Sequence, residues 1–386
     1  MAGDSLHIFM TDPHLAGGGQ VRYVANLARE LGRLGQRVTI GCKPGSVLVA
    51  RAAEANAAVC DTFFFKGGLR PRVWMHDLRQ AAAFIRSAKP DLIHVSGSQD
   101  HWVCALATRA LGRPACLVRT RHNTYPVRDH LANRVLNRAW TDYQIVVCDV
   151  VRRTLAAQRA FDGDRMCSIH NGVDAARFRP DPGARARARA EFGYGEHDFV
   201  CGIAARLVPA KGHEFLFRAV AKVRQTHPQV RMLVLGQGDL ESRLRQLACD
   251  LRIADVVTWT GFRDDMAHCV QAFDAGAQPS IDCDTSSFSL KEQMAAEVPV
   301  IASDYGGLTE ILTDGVEGYI VPAGTVDPLA DALLRMLDSE AERRRMGAAG
   351  RARVLREFTV EVFAARTLEA YRRALAIHEV RGVKER

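Results

Sequence analysis

Short, almost wholly apolar runs recur along this chain, each followed by a turn and then, in most cases, by a segment of helical period. In the first half they are Leu6–Met10, Val38–Cys42, Leu92–Val95, Ala115–Val118, Gln144–Cys148 and Met166–Ile169. In the second half they are Val200–Ala204, Met232–Leu235, Val256–Trp259, Ala275–Gln278, Val300–Ala302 and Tyr319–Val321. Strands this uniformly apolar are buried on both faces, so the helices between them must cover the sheet. After the first run, Val21, Val24, Leu27, Ala28, Leu31 and Leu34 recur at helical spacing, and Gly35 ends the segment. The chain reads as α/β, with two successive doubly wound parallel sheets. Residues 1–178 make the first unit and 179–359 the second, with Asp181–Arg189 as a joining segment. A long last helix over about Val360–His378 ends in a basic tail, Val380–Arg386. Two such units place a cleft between their strand carboxyl ends, where ligands of open α/β sheets bind.

The 386 residues suffice for two domains with proper cores. No apolar run reaches the ~20 residues of a membrane span, and the start lacks a secretory pattern. The ten cysteines are scattered singly, with no C-x-x-C pair, which argues against zinc or redox motifs and fits a reducing, cytoplasmic setting. The net charge of +8 is uneven. Residues 1–178 hold 24 Lys and Arg against 14 Asp and Glu; residues 179–386 hold 28 against 30. The basic half either meets something anionic or simply carries arginine on solvated faces. No nucleic-acid module is recognisable.

The chemistry concentrates in a few loops. Gly17-Gly18-Gly19-Gln20 opens a helix and lets backbone N–H groups approach an anion, though glycines serve a tight turn equally well. It is not a nicotinamide fingerprint. Arg206 and Lys211 flank Pro209 directly after an apolar run. They are either ordinary surface cations or a clamp for a diphosphate. Pro279–Asp284 and the following Glu292 put two carboxylates in one strand-loop-helix unit, with Ser286 and Ser287 in the loop. Cations for a diphosphate beside carboxylates for hydroxyls suit a nucleotide sugar. Asp282-Cys283-Asp284 resembles a D-x-D metal motif, but no histidine or third carboxylate stands nearby, so no metal is expected. His122, just past a strand, can hydrogen-bond a sugar hydroxyl, shuttle a proton, or merely be a polar loop residue. Asn171-Gly172 reads as a turn and an inter-domain hinge. The segment after Pro71 mixes Trp74, Leu78, Ala82, Phe84 and Ile85 with Arg70, Arg72, Arg79 and Arg86. It either packs on the sheet or lies on an anionic membrane.

The ordered set of these motifs resembles glycosyltransferase family 4, the retaining GT-B transferases. It comprises Gly17–Gln20, Pro90-Asp-Leu-Ile-His94, Asn171-Gly-Val-Asp174, Arg206 with Lys211-Gly212, Gly236-Gln-Gly238, Gly261-Phe262, Pro279-Ser280, Glu292 with Met294-Ala295, and Gly306-Gly307 with Glu310. The resemblance implies a GT-B fold with the last helix crossing back onto the first domain. It implies that Arg206 and Lys211 bind the donor diphosphate and Glu292 the ribose, with backbone around Phe262 and Arg263 at the base. Gly18, Gly19, Gln20 and His122 then face the donor sugar and phosphate, and Ser286, Ser287 and Phe288 form the donor loop. Asp284 stands where the family's sugar-contacting acid stands. Ser96, Gln99, Arg121 and Asn123 fall on the acceptor side.

The chain also departs from the family pattern. Asp284 replaces the first of two glutamates eight apart, and Ser286-Ser287-Phe288 replaces Phe-Gly-Leu. Pro279-Ser280 lies one residue further from the acid than usual. The resulting expectation is a metal- and cofactor-independent retaining transferase. It would move a hexose from a nucleotide diphosphate sugar to a glycan or lipid-linked acceptor, in cell-envelope polysaccharide or lipopolysaccharide assembly, with a possible peripheral contact at the inner membrane face. A GT-B nucleotide-sugar epimerase and a non-catalytic nucleotide-sugar or glycan-binding protein are the alternatives.

Overall fold

The computed structural model describes residues 5–68, 70–125 and 127–384. In the first unit the strands are β1 (His7–Thr11), β2 (Arg37–Gly41), β3 (Ala58–Cys60), β4 (Leu92–Val95), β5 (Cys116–Arg121), β6 (Tyr143–Val146) and β7 (Met166–Ser168). They form one parallel sheet in the order β3-β2-β1-β4-β5-β6-β7. In the second unit β8 (Phe199–Ala204), β9 (Val230–Leu235), β10 (Val257–Gly261), β11 (Ala275–Gln278), β12 (Val300–Ser303) and β13 (Gly318–Val321) pair in parallel as β10-β9-β8-β11-β12-β13. Ile8, Phe9 and Met10 are fully buried, as are Val200, Cys201 and Ile203, which is what two covered faces require. In each sheet the order reverses once, between β1 and β4 and between β8 and β11. The carboxyl ends of those two strand pairs are the places where such sheets offer a ligand crevice.

Two expected boundaries move. The division falls between Gly172 and Val173, not after Phe178. Val173, Ala175 and Phe178 pack in the second unit's core, and the Val173 N–H donates to Phe358 O at 2.8 Å. Asp181–Arg189 is not a joining segment. Pro182–Glu191 is a helix capped by Asp181, and Arg185 and Arg189 clasp Asp274 at 2.6 and 3.0 Å. The three-residue strand β3, too short and exposed to carry an apolar run, had no sequence signal. The segment after Pro71 is a helix, Pro71–Ala88, that packs on the sheet. Its Ala81 and Ile85 are buried, Leu78 and Ala82 lie half-buried against the same cluster, and Phe84 stacks on Phe9 at 4.1 Å.

The last helix, Val360–Lys384, belongs to the first unit and runs further than its apolar periodicity suggests. Two buried networks hold it. In one, Tyr371 Oη meets His94 Nδ1 at 2.5 Å, and His94 Nε2 meets Thr120 Oγ1 at 2.6 Å. Burial drives the His94 pKa down to about 3, so the ring stays neutral. In the other, Asp142 accepts from His378 Nδ1 (2.9 Å), Arg381 Nη1 (3.0 Å), Arg113 Nη2 (2.7 Å) and the Leu117 N–H (2.9 Å). Burial opposes ionisation of Asp142, but these donors outweigh it and hold its pKa below the usual carboxylate range. Removing the carboxylate takes away the acceptor that two part-buried guanidiniums share, so Asp142→Ala is expected to lower unfolding free energy by about 3–5 kcal/mol in urea titrations. A depressed folded pKa gives stability that is complete above the unfolded value of about 3.9 and is lost as pH falls through the folded value. The wild type should therefore lose this increment below about pH 4, and Asp142→Ala should show a flatter acid limb.

Candidate active site

In the second unit the chemistry sits at the β8–β11 reversal. The loop after β8 carries Arg206, Pro209 and Lys211; the loop after β11 carries Pro279, Ser280 and Asp284. The two are joined by the Ile281 N–H, which donates to Ala210 O at 2.9 Å. Gly212 lies in the left-handed region at φ +67°, and a Cβ there would come within 1.9 Å of Pro279 O. Only glycine allows the loops to meet so closely. Arg206 is exposed, with no ion-pair partner among the described residues. Lys211 is not free: its Nζ donates to Asp284 Oδ2 at 2.8 Å. The same oxygen accepts from Gln278 Nε2 at 2.8 Å and Ser280 Oγ at 2.7 Å. Asp284 is buried and holds Lys211 in place, which is more than the sequence assigned to it. Burial of a carboxylate is tolerated here because three donors converge on it.

The remaining donor-side residues spread over this unit. Ser287 caps the helix Phe288–Ala295 by accepting from the Leu290 N–H at 3.2 Å. Ser286 accepts from Lys291 Nζ at 2.8 Å. Glu292 is only 2% exposed in that helix. Phe262, by contrast, is 64% exposed in the loop after β10, free to offer a flat apolar face. Arg263 is held by Asp265 (2.7 and 2.6 Å) and Glu191 (2.9 Å), and the Asp265 bonds push its pKa further up. Asp282 and Asp284 do not share a site: exposed Asp282 accepts from Tyr305 Oη at 2.9 Å, while Asp284 faces inward. Among the described residues one trio of metal-ligand type, Cys116, Asp142 and His378, lies close together, but two guanidiniums already occupy its carboxylate.

In the first unit the β1–β4 reversal and the end of β5 surround a cavity of about 200 Å³. Gln20, Ser96, Gln99, Arg121, His122 and Asn123 all line it, so one cavity gathers residues that the sequence reading divided between donor and acceptor sides. Gly18 is the N-cap and Gly19 the first residue of the helix Gly19–Arg33 that begins here. A Cβ on Gly17 or Gly18 would meet nothing within 4 Å, so packing does not demand either glycine. They leave the helix N–H groups uncovered. Gln20 Nε2 donates to Asp12 Oδ2 at 2.8 Å, and His14 Nδ1 sits 3.0 Å from Asp12 Oδ1, which raises the His14 pKa. His122 packs edge-on to Tyr23 at 4.6 Å; burial first, then the Arg119 charge, pushes its pKa well down, so the ring is neutral.

Several site residues had no assignment from sequence. Gln278 and Ser280 anchor Asp284 but look like a strand end and a turn. Lys291 hides in an apolar helix, fully buried, with its Nζ 5.4 Å from the Phe358 ring. Arg119 lies inside β5, also buried. Its signal was available: Arg119 and Arg121 alternate along one strand and so share a face.

The chain matches two family models, "Glycosyltransferase Family 4" over residues 17–177 and "Glycosyl transferases group 1" over residues 184–353. It is 30% identical over 417 residues to a D-inositol 3-phosphate glycosyltransferase of Nocardioides, covering 96% of this chain and 89% of that protein. It is 36% identical over 210 residues to a GDP-mannose-dependent alpha-(1-6)-phosphatidylinositol monomannoside mannosyltransferase of Mycobacterium tuberculosis. That match covers 52% of this chain and 54% of the relative, so the chain spans about half of that protein's length. Among solved structures, a Rickettsia africae glycosyltransferase superposes with a TM-score of 0.86 at 20% identity, over 97% and 99% of the two chains. Anabaena HepE in complex with UDP gives 0.82 at 21%, over 95% and 99%.

The close approach at Gly212 makes a direct test of the loop geometry. Gly212→Ala is expected to lower the melting temperature, by roughly 1–3 kcal/mol of strain at a left-handed position, and to abolish nucleotide binding. Calorimetry and nucleotide titration of the same protein check both.

Proposed function

This chain belongs to glycosyltransferase family 4 and has the GT-B fold, and on that premise we propose that it is a retaining glycosyltransferase using a nucleotide diphosphate sugar. The observation that carries the reading is the arrangement at the β8–β11 reversal. There an exposed Arg206 stands in the same loop as a Lys211 that buried Asp284 holds in position. Two cations so placed bind a diphosphate and stabilise the charge that develops as the nucleotide leaves. Ser286 and Ser287 offer hydroxyls to the phosphates, Glu292 takes the ribose, and Phe262 lies against the base. Asp284 acts by setting Lys211. The leaving phosphate takes the proton of the attacking hydroxyl, so the protein contributes positioning and charge. The relatives' names include GDP-mannose, and HepE was solved with UDP; UDP- and GDP-sugars are the donors to try first.

A panel of nucleotide sugars, assayed by thermal shift and by donor hydrolysis with and without acceptor, tests this. Arg206→Ala should reduce turnover at least ten-fold with an unchanged melting temperature, matching the roughly 1.5–3 kcal/mol of a hydrogen bond to a charged group. Since two cations serve the diphosphate, EDTA should leave the rate unchanged. Activity lost on chelation and restored by Mg²⁺ or Mn²⁺ contradicts the metal-independent reading. Donor turnover without any acceptor product points instead to an epimerase, and saturable binding with no turnover to a binding protein.

We further propose that the acceptor is a glycan or a lipid-linked molecule met at a membrane surface. Among the described residues no helix is long and apolar enough to cross a membrane. The first unit, through Gly172 and from Val360, carries 29 Lys and Arg against 17 Asp and Glu; the second carries 23 against 27. On the helix Pro71–Ala88, Arg72, Arg79 and Arg86 are exposed, as is Arg70 just before it. Trp74 is not the exposed anchor that its sequence suggests: its Nε1 donates to Gly68 O and its ring packs on the core. Met75, 49% exposed, takes that place. Binding to anionic vesicles, absent with neutral ones, is expected to fall by about 1 kcal/mol for each of these arginines reversed to glutamate. Equal binding to both vesicle types removes the membrane from the proposal.

A further inference from the structure

We propose that the cavity of the first unit is a phosphate seat, and that the acceptor carries a phosphate which binds there on Arg119 and Arg121. The inference rests on the reading of the first unit as the acceptor side and names the chemistry of what it accepts. Arg119 is 6% exposed and lines the cavity, and its Nε and Nη1 are buried without a hydrogen-bond partner among the described residues. Its nearest acid, Asp100, stands 3.9 Å from Nη1, beyond hydrogen-bond reach. Asp100 spends Oδ2 on Thr11 Oγ1 (2.8 Å) and on the N–H groups of Ser96 and Gly97 (both 3.0 Å), while its Oδ1 offsets the Arg119 charge without bonding it. Asp12, the other carboxylate close by, is taken up by His14 and Gln20.

Arg121 lacks even a distant acid. Its Nε is buried and unpartnered, and its guanidinium lies 5.8 Å from the Phe161 ring. Burial, reinforced by the Arg119 charge, lowers its pKa to about 9, with no carboxylate acting the other way. Ser96 Oγ, on the same wall, is also buried and unpartnered; the Asn123 amide oxygen there only accepts and does not bond a phosphate. A folded chain rarely leaves so many polar groups unsatisfied in one place unless a ligand completes them. Two guanidinium forks and a hydroxyl point in several directions at once. A phosphate has oxygens to meet all of them, whereas a carboxylate offers two in one plane.

The cavity is not isolated. A shallower basin of about 560 Å³ shares Pro13, His14 and Gln99 with it and is rimmed by Lys43, Lys66 and Arg70. This basin has the room for the rest of the acceptor, and its cations suit a further anionic group. A soluble sugar phosphate and a phosphate borne on a lipid share this chemistry.

The test uses the full chain with Arg206→Ala as background, so that the second unit's exposed cation does not contribute. Inorganic phosphate is titrated by calorimetry and thermal shift, with acetate at equal ionic strength as the control. Saturable phosphate binding is expected, at least ten-fold weaker after Arg121→Gln and after Asn123→Asp. Both substitutions lie on a half-exposed loop or strand end, and an unchanged melting temperature shows that they fold. Equal affinity in wild-type and Arg121→Gln backgrounds overturns the proposal, as does equal binding of acetate. Glucose 6-phosphate against glucose, and phosphatidic acid vesicles against plain phosphatidylcholine, then separate the sources. A gain over either control that Arg121→Gln removes supports the site, and no gain over both overturns it. Should the transferase reading itself fail, nucleotide sugars will not bind while phosphate binding at Arg121 persists.

Discussion

Parallel strands covered on both faces impose one constraint from which the rest of this molecule follows. Apolar side chains fill most of the space above and below each sheet, so polar groups open to a ligand gather at the strand ends. Where the strand order reverses, the connecting helices diverge to opposite faces and the carboxyl ends stand open. The reversal at β1–β4 supplies Gln20, Ser96 and Gln99; that at β8–β11 supplies Arg206, Lys211 and Asp284. Residues up to 79 positions apart in sequence are thus brought together by topology, with each loop free to vary without disturbing the core.

Within the second unit, a buried acid is used to place a cation. Lys211 alone would be a mobile side chain with many rotamers, and fixing it on a phosphate would carry the full entropic penalty. Asp284 removes part of that freedom beforehand. Gln278 and Ser280 in turn fix Asp284, so the position of Lys211 is set by groups that never touch a ligand. The aspartate is one methylene shorter than the family's usual glutamate. It lies within reach of Lys211, and the two serines in the following loop, Ser286 and Ser287, lie where phenylalanine and glycine are more usual. The departure from the family pattern is therefore compensated locally, by Lys291 beneath Ser286 and by the Ser287 cap.

Most strands were legible because apolar runs such as Leu92–Val95 and Ala275–Gln278 have a single physical explanation. The helix after Gly18 was legible because Val21, Val24, Ala28 and Leu31 share one face. What was not legible depended on partners distant in sequence. Phe178 belongs to the second unit because of where its ring packs, not because of its neighbours. The arginines of Asp181–Arg189 look like a solvated linker until Asp274, some 85 residues on, is placed against them. The Lys211–Asp284 bond is of the same kind: read along the chain they are two separate ligand groups, and only folding shows that one holds the other.

The same reasoning applies to charge. A count of basic residues treats Arg119 and Arg79 alike, yet one is sealed in a strand and the other is exposed to solvent. An exposed arginine is hydrated and needs no partner. A buried one is stable only if its donors are met, and the bonds it lacks describe the ligand that would supply them. The first unit's excess of positive charge thus has two physically different parts. The exposed part acts at a distance, is screened by salt, and draws in anything anionic. The buried part acts only at contact, is screened less by salt, and on our proposal distinguishes a phosphate from a flatter anion by geometry. Long-range attraction and short-range choice are therefore carried by different arginines of one domain, and the short-range pair sits on a strand that the last helix, through Tyr371, His94 and Thr120, holds in register.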